Sequence, residues 1–257
     1  MVGVVGPNPT VDTSPKMMKQ AMIFAAGLGT RLKPLTDTMP KALVRVGGQP
    51  LLWHVIMKLK AAGYERLVVN VHHFSQQIID YLQANGNFGL DIRISDESDG
   101  LLETGGGIKK ALPLFDPESP ILIHNVDILS NLDLTALPVD APLLVVSQRQ
   151  TKRYLLFDDD MRLQGWTNIE TGEVKGVKSE EVKSEKFKML AFSGIHVMHP
   201  SLYSLFADWP ERFPIMDFYL KACATHLIRG YEAPGLRLLD VGKLDTLHDA
   251  EAFIEGI

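Results

Sequence analysis

Cysteine is almost missing from this chain of 257 residues, and the single one, Cys223, excludes an intrachain disulfide and any cysteine-rich metal site. A reducing, cytoplasmic compartment is the setting expected. No apolar stretch reaches the roughly 20 residues that a membrane helix requires. Positive charge is not in excess either. The formal net charge of −5 offers no global attraction for nucleic acid or an anionic membrane, so small anions held by local fields are the expected ligands. The signatures G-x-S-x-G and H-E-x-x-H do not occur, and Cys223 lacks the surroundings of a catalytic nucleophile. Among eight histidines, His72 and His73 adjoin at a strand end, but no third ligand lies at a zinc-like spacing. They are expected to line a pocket or a plain loop. There is no internal repeat and no low-complexity linker, and the composition leaves a homo-oligomer open.

Hydrophobic residues make up 46% of the chain, enough for a sizeable core, while length alone is compatible with one large domain or two small ones. Residues 1–18 carry three prolines and lack the basic start and long apolar centre of a secretory signal. They read as a disordered leader, with Met17 or Met18 as the natural start. Leu52, Val55, Ile56 and Leu59 share one helical face, and Gly63 stops that helix. A buried strand over 66–71 follows. Ser75 is the expected N-cap of a helix carrying Ile78, Ile79 and Leu82, and residues 89–94 alternate as a strand. A helix over 107–114 and a strand over 121–124 continue the alternation. The pattern predicts an α/β fold with a doubly wound, mostly parallel sheet whose ligand sites lie at the carboxyl ends of strands.

After Val146 the character changes. Residues 154–158 and 162–166 read as a hairpin, and the charged segment 172–188 as an exposed, mobile arm with a solvated face. A strand over 189–197, helices over 201–206 and 215–226, a strand over 236–241 and a helix over 243–254 complete the chain. One domain over 19–257, with a small β-rich substrate-side subregion at about 150–235, is the simplest account.

The densest signal lies at residues 22–44. Met22, Ile23, Phe24, Ala25 and Ala26 form a short apolar run of the kind buried on both faces of a sheet, and Gly27 and Gly29 then permit a tight turn. Successive N–H groups in such a turn converge on an anion. Arg31 adds a planar fork of donors and Lys41 a point charge, with Pro34 and Pro40 restraining the loop between them. The plain alternative is a strand-to-helix connection with a solvated basic face. Neither common glycine motif is present: three positions after Gly29 stands Leu32, and no Walker loop occurs.

The run G-x-G-T-R-L-x-P-L-T from Gly27, followed by P-K-x-L-V from Pro40, resembles the nucleotide-binding loop of the sugar-1-phosphate nucleotidylyltransferases. Three further segments extend that likeness. Leu102 to Ile108 reads L-E-T-G-G-G-I, three glycines at the start of a helix where backbone approaches something closely. The form resembles the branch that includes N-acetylmuramate-1-phosphate uridylyltransferases. Asp127 follows a buried strand, as a magnesium-binding carboxylate or as a plain turn former. Val126 stands where the family has glycine. Leu238 to Glu251 resembles the family's late D-V-G segment, with Asp240 as a second metal ligand and Lys243 where threonine or arginine is commoner. Leu190 to Val197 is similar to its F-S-G-I segment beside the sugar.

The resemblance implies a Rossmann-like fold and a Mg²⁺-dependent transfer of a nucleotidyl group from a nucleoside triphosphate to a sugar-1-phosphate. Arg31 and Lys41 are the implied catalytic residues. Ala25, Ala26, Gly27, Gly29, Thr30, Arg31, Gly105 and Gly106 would hold the nucleotide, Glu103, Thr104, Asn125, Ser193 and Gly194 the sugar, and Asp127 and Asp240 the metal. Uridylyl transfer to an N-acetylmuramate- or hexose-1-phosphate is expected. Guanylyl transfer to mannose-1-phosphate and a catalytically silent nucleotide sensor are the alternatives; a dinucleotide oxidoreductase is disfavoured by the missing third glycine.

Overall fold

Gln20–Phe24 is the strand around which the sheet is built, because Ala21, Met22 and Ile23 have no exposed surface and demand cover on both faces. The computed structural model describes residues 17–183 and 186–257, so the expected leader lies almost wholly outside the described residues. Arg66–Val71 pairs parallel to one side of Gln20–Phe24 and Ile121–Asn125 parallel to the other, and Asp91–Asp96 extends the parallel set beyond Arg66–Val71. The eleven-residue strand Lys188–Met198 then pairs antiparallel with Ile121–Asn125.

That long strand divides the rest of the sheet. Its first part pairs with Arg153–Phe157, which continues through Leu163–Asn168 to Glu173–Lys175, all antiparallel. Residues 191–197 pair with Leu143–Ser147, and Arg229–Glu232 lies parallel beside Leu143–Ser147. A separate two-stranded ribbon joins Ile128–Ser130 to Leu238–Asp240.

Successive strand residues feed opposite faces, which makes the sheet doubly wound. Ile23, Leu67, Val69 and Leu122 enter one core with Leu52, Val55, Ile56 and Leu59 of the helix Leu51–Ala61. Met22, Val68, Ile121 and Ile123 enter the other with Ile108 of the helix Glu103–Ala111 and Phe218 of the helix Ile215–Ala222. Each such side chain, fully buried, contributes about 1.5–3 kcal/mol of transfer free energy.

Several expected boundaries move. The helix carrying Ile78 spans Ser75–Ala84, and its N-cap is Phe74 in the left-handed region (φ 56°) with no side-chain cap. Ser75 is already helical, so it cannot cap. The strand expected at 89–94 is Asp91–Asp96, because a 3₁₀ turn occupies Gly86–Gly89. The helix expected from Gly107 begins at Glu103 and includes all three glycines. The 172–188 segment is not an irregular arm in its described part: Glu173–Lys175 joins the sheet and Ser179–Lys183 is helical. Lys175 anchors it, 3.0 Å from the Asp217 carboxylate and over the ring of Trp166.

Candidate active site

The carboxyl ends of Gln20–Phe24 and Ile121–Asn125 open onto a cavity of about 250 Å³. Ala25, Ala26, Gly27, Lys41, Glu103, Thr104, Asn125 and Asp127 line it, all of them singled out in the sequence. The glycine loop closes on itself. Gly29 has φ 63°, and a Cβ there would lie 2.9 Å from Thr36 Cγ2 and 3.0 Å from Lys41 Cβ. Thr36 Oγ1 donates to the Gly29 carbonyl at 2.8 Å, as does the Leu32 N–H. Gly27 differs, since a Cβ there would meet nothing within 4 Å. After Pro40, a 3₁₀ turn over Lys41–Leu43 buries the stem of Lys41.

Two side chains that sequence reasoning missed organise this loop. Asn70 Oδ1 accepts from the N–H groups of Ala25 (2.7 Å) and Ala26 (3.3 Å), and its Nδ2 donates to Glu97 Oε1 at 2.7 Å. Glu97 Oε2 accepts from the Leu102 N–H at 3.2 Å. Both side chains are buried. They tie the glycine loop to the start of the helix Glu103–Ala111 through one polar network, which is costly to leave half-satisfied. The available signal was a lone asparagine inside the apolar run Leu67 to Val71.

The acidic pair is brought together by the two-stranded ribbon. Asp240 is registered against Ile128, and the Val241 N–H donates to the Asp127 carbonyl at 2.8 Å. Lys41 Nζ forms an ion pair with Asp127 Oδ2. Arg31 lies over Gly242, where a Cβ would sit 2.6 Å from Asp240 Oδ1 and 2.8 Å from the Arg31 guanidinium. Burial and then the Asp127 charge push the Asp240 carboxyl above the usual range, against the opposing pull of Lys41, Arg31 and Arg149. Val126, which stands in place of a glycine, is buried and outside the left-handed region, and its N–H donates to the Phe24 carbonyl at 3.2 Å. The backbone therefore needs no glycine there. Lys243 is the N-cap of the helix Leu244–Glu255, its N–H donating to Thr246 Oγ1.

Gly105 and Gly106, expected to hold the nucleotide, do not line this cavity, and their N–H groups are taken by the chain itself. Both N–H groups donate to the Phe213 carbonyl, at 2.8 and 3.2 Å. A Cβ would lie 2.2 Å from the Phe213 ring at Gly105 and 2.0 Å from the Glu211 carbonyl oxygen at Gly106. The close approach is to the protein's own chain. It seats Glu103, itself at φ 62°, and Thr104, whose Oγ1 accepts from the Ile215 N–H. Ser193 is buried and its Oγ has no hydrogen-bond partner. Gly194 (φ 74°) lets the long strand press on Asn125, with its Cβ position 2.8 Å from Asn125 Nδ2.

His72 Nδ1 lies 2.7 Å from the Glu97 carbonyl oxygen, His73 packs on Phe74, and no group of three or more His, Cys, Asp or Glu placed for a metal occurs among the described residues. Nor is any described helix long and apolar enough to cross a membrane.

Comparison with known proteins identifies the family. A model of the nucleotidyl transferase family matches residues 20–141. The N-acetylmuramate α-1-phosphate uridylyltransferase of Caulobacter vibrioides is 34% identical over 223 residues, covering 85% of this chain and 90% of that protein. The Neisseria meningitidis serogroup B protein of the same name is 47% identical over 118 residues, covering 46% of this chain and 50% of that protein. In fold, a crystal structure of a UDP-glucose pyrophosphorylase complexed with UDP-glucose superposes with a TM-score of 0.74 at 16% identity, covering 94% of this chain and all of that one. The chain belongs to the sugar-1-phosphate nucleotidyltransferases, enzymes that join a nucleoside triphosphate and a sugar-1-phosphate into a nucleotide sugar and pyrophosphate.

Proposed function

We propose that the enzyme transfers the uridylyl group of UTP to N-acetylmuramate α-1-phosphate, in the cytoplasm, as a step in making a cell-wall or surface-polysaccharide precursor. The observation that carries this reading is the 34% identity to a uridylyltransferase of that specificity along 85% of the chain. In this reading the turn from Ala25 through Gly27 and Gly29 to Thr30 holds the triphosphate, with Arg31 and Lys41 facing its charge. The sugar phosphate is already dianionic at neutral pH, since its second pKa is about 6, so no general base is needed. Its oxygen attacks the α-phosphorus and pyrophosphate departs. Arg31 and Lys41 neutralise the charge that develops on the transferring and leaving groups. Gly105 and Gly106 act indirectly, by letting their helix settle against Phe213 and present Glu103 and Thr104 to the cavity. Asn125 and the unpartnered Ser193 hydroxyl, with Gly194 beside them, meet the sugar.

Asp127 and Asp240 are suited to hold Mg²⁺. Their donors are all oxygen, and the Asp240 carboxyl is raised first by burial and then by the Asp127 charge, a burden that a divalent ion would relieve. When bound, the ion supplies positive charge to the phosphates of the nucleotide.

Pyrophosphate release measured with Mg²⁺ for UTP, GTP, CTP and ATP, each against N-acetylmuramate-, glucose- and mannose-1-phosphate, tests the reading. UTP with N-acetylmuramate α-1-phosphate is expected to give the highest kcat/KM. Faster turnover of GTP with mannose-1-phosphate would overturn it, and bound nucleotide without pyrophosphate release would make the chain a sensor.

A further inference from the structure

Arg149 is a further cation at the carboxyl edge of the sheet and has no part in the chemistry described above. It lies two residues beyond the end of Leu143–Ser147. That strand and Ile121–Asn125 both run antiparallel to Lys188–Met198, so they run parallel to each other and their carboxyl ends share one edge of the sheet. Arg149 therefore stands at the same edge as Asn125 and Asp127. One guanidinium nitrogen donates to the Phe192 carbonyl at 3.0 Å. Phe192 directly precedes Ser193 and Gly194, where the long strand loses register with Leu143–Ser147 and presses against Asn125. A continuous path thus leads from Arg149 along the sugar-side wall to the cavity.

Its charge is unspent. Lys41 is paired with Asp127 and Arg31 lies beside Asp240, but among the described residues no carboxylate forms an ion pair with Arg149. The side chain is exposed and stands at the sheet edge that carries Asn125 and Asp127. An exposed arginine held by one backbone bond keeps most of its donor fork for a second acceptor, and a planar carboxylate matches that fork.

Resting on the substrate reading above, we propose that Arg149 is a specificity-determining residue that binds the lactyl carboxylate of N-acetylmuramate α-1-phosphate. This sugar differs from N-acetylglucosamine by one lactyl ether, whose carboxylate is ionised at neutral pH. The phosphates, common to every substrate of the family, are met by Arg31 and Lys41. The carboxylate is the anion they leave over, on the side where Arg149 waits.

The test compares wild type, Arg149→Gln and Arg149→Lys with UTP, on N-acetylmuramate α-1-phosphate and on N-acetylglucosamine α-1-phosphate. Where the latter turns over too slowly, its inhibition constant against the former measures its affinity. Arg149→Gln is expected to raise KM for the muramate substrate roughly ten- to hundredfold, the loss of one charged hydrogen-bonded contact, with N-acetylglucosamine α-1-phosphate unaffected. Arg149→Lys is expected to recover part of the difference, keeping the charge without the fork. An equal loss for both sugars would assign Arg149 to the shared phosphate and overturn the proposal, as would no change for either. A wild-type enzyme without turnover of N-acetylmuramate α-1-phosphate overturns the substrate reading instead, and that result is visible before any variant is made.

Discussion

Gly27 and Gly29 stand two residues apart and answer to different demands. Gly29 is required by the fold, through its positive φ and its contact with Thr36 and Lys41. Gly29→Ala should lower stability by about 1–3 kcal/mol in urea unfolding. Gly27→Ala should leave the unfolding midpoint unchanged yet raise KM for the nucleoside triphosphate, because its Cβ would project only into open space. Asn70→Ala removes the acceptor of two N–H groups and the donor to buried Glu97, and should cost about 2–4 kcal/mol in the same measurement. For Asp240 the sign follows from its raised pKa. The native state holds that proton more tightly than the unfolded chain, so stability falls as pH rises through the native pKa. Asp240→Asn should therefore raise the thermal midpoint at pH 7.5, with the gain disappearing below about pH 4, the unfolded carboxyl range. Its turnover should fall sharply, the pattern of a site that keeps destabilising charge for function.

At the scale of elements, the helix Glu103–Ala111 is bound by its glycines rather than weakened by them. Alanine would gain up to about 1 kcal/mol in helix propensity, but at Gly106 it would drive into the Glu211 carbonyl. Gly106→Ala should show a net loss of about 1–3 kcal/mol, the cost of overpacking. Gly100→Ala, where a Cβ meets nothing within 4 Å, is the control and should be neutral. The sequence announced that these glycines permit a close approach. It could not say to what, because Phe213 and Glu211 are brought there by a segment that carries no pattern pointing back at Gly105. The same limit explains Ser75 and the charged arm. A serine before an apolar periodicity is a good cap signal, yet the chain enters this helix through Phe74 in a left-handed turn. Alternating charge reads as solvated loop, yet Glu173–Lys175 finds an open sheet edge beside Leu163–Asn168.

Over the whole molecule, Lys188–Met198 is the strand on which both halves depend, since it pairs with Ile121–Asn125 and also with Leu143–Ser147 and Arg153–Phe157. A chain cut after residue 150 would leave the apolar Ile121–Asn125 as a bare edge, and should aggregate on size exclusion without a cooperative transition. The full chain should unfold as one unit, with far-UV circular dichroism coinciding with fluorescence from Trp53, Trp166 and Trp209, which lie in separate parts of the fold. Two separated transitions would divide it into two domains. The strand and helix alternation, the glycine loop with its two cations and the place of Asp127 at a strand end were all legible in the sequence, because each is set by local periodicity and backbone chemistry within a few residues. The resemblance had already paired Asp127 with Asp240; only the tertiary structure decided that a two-stranded ribbon seats them together, that Asn70 and Glu97 hold the loop, and that Arg149 stands at the same sheet edge as Asp127. Those meetings depend on ladder hydrogen bonds and buried polar contacts between distant segments, and such contacts leave no local pattern in either partner.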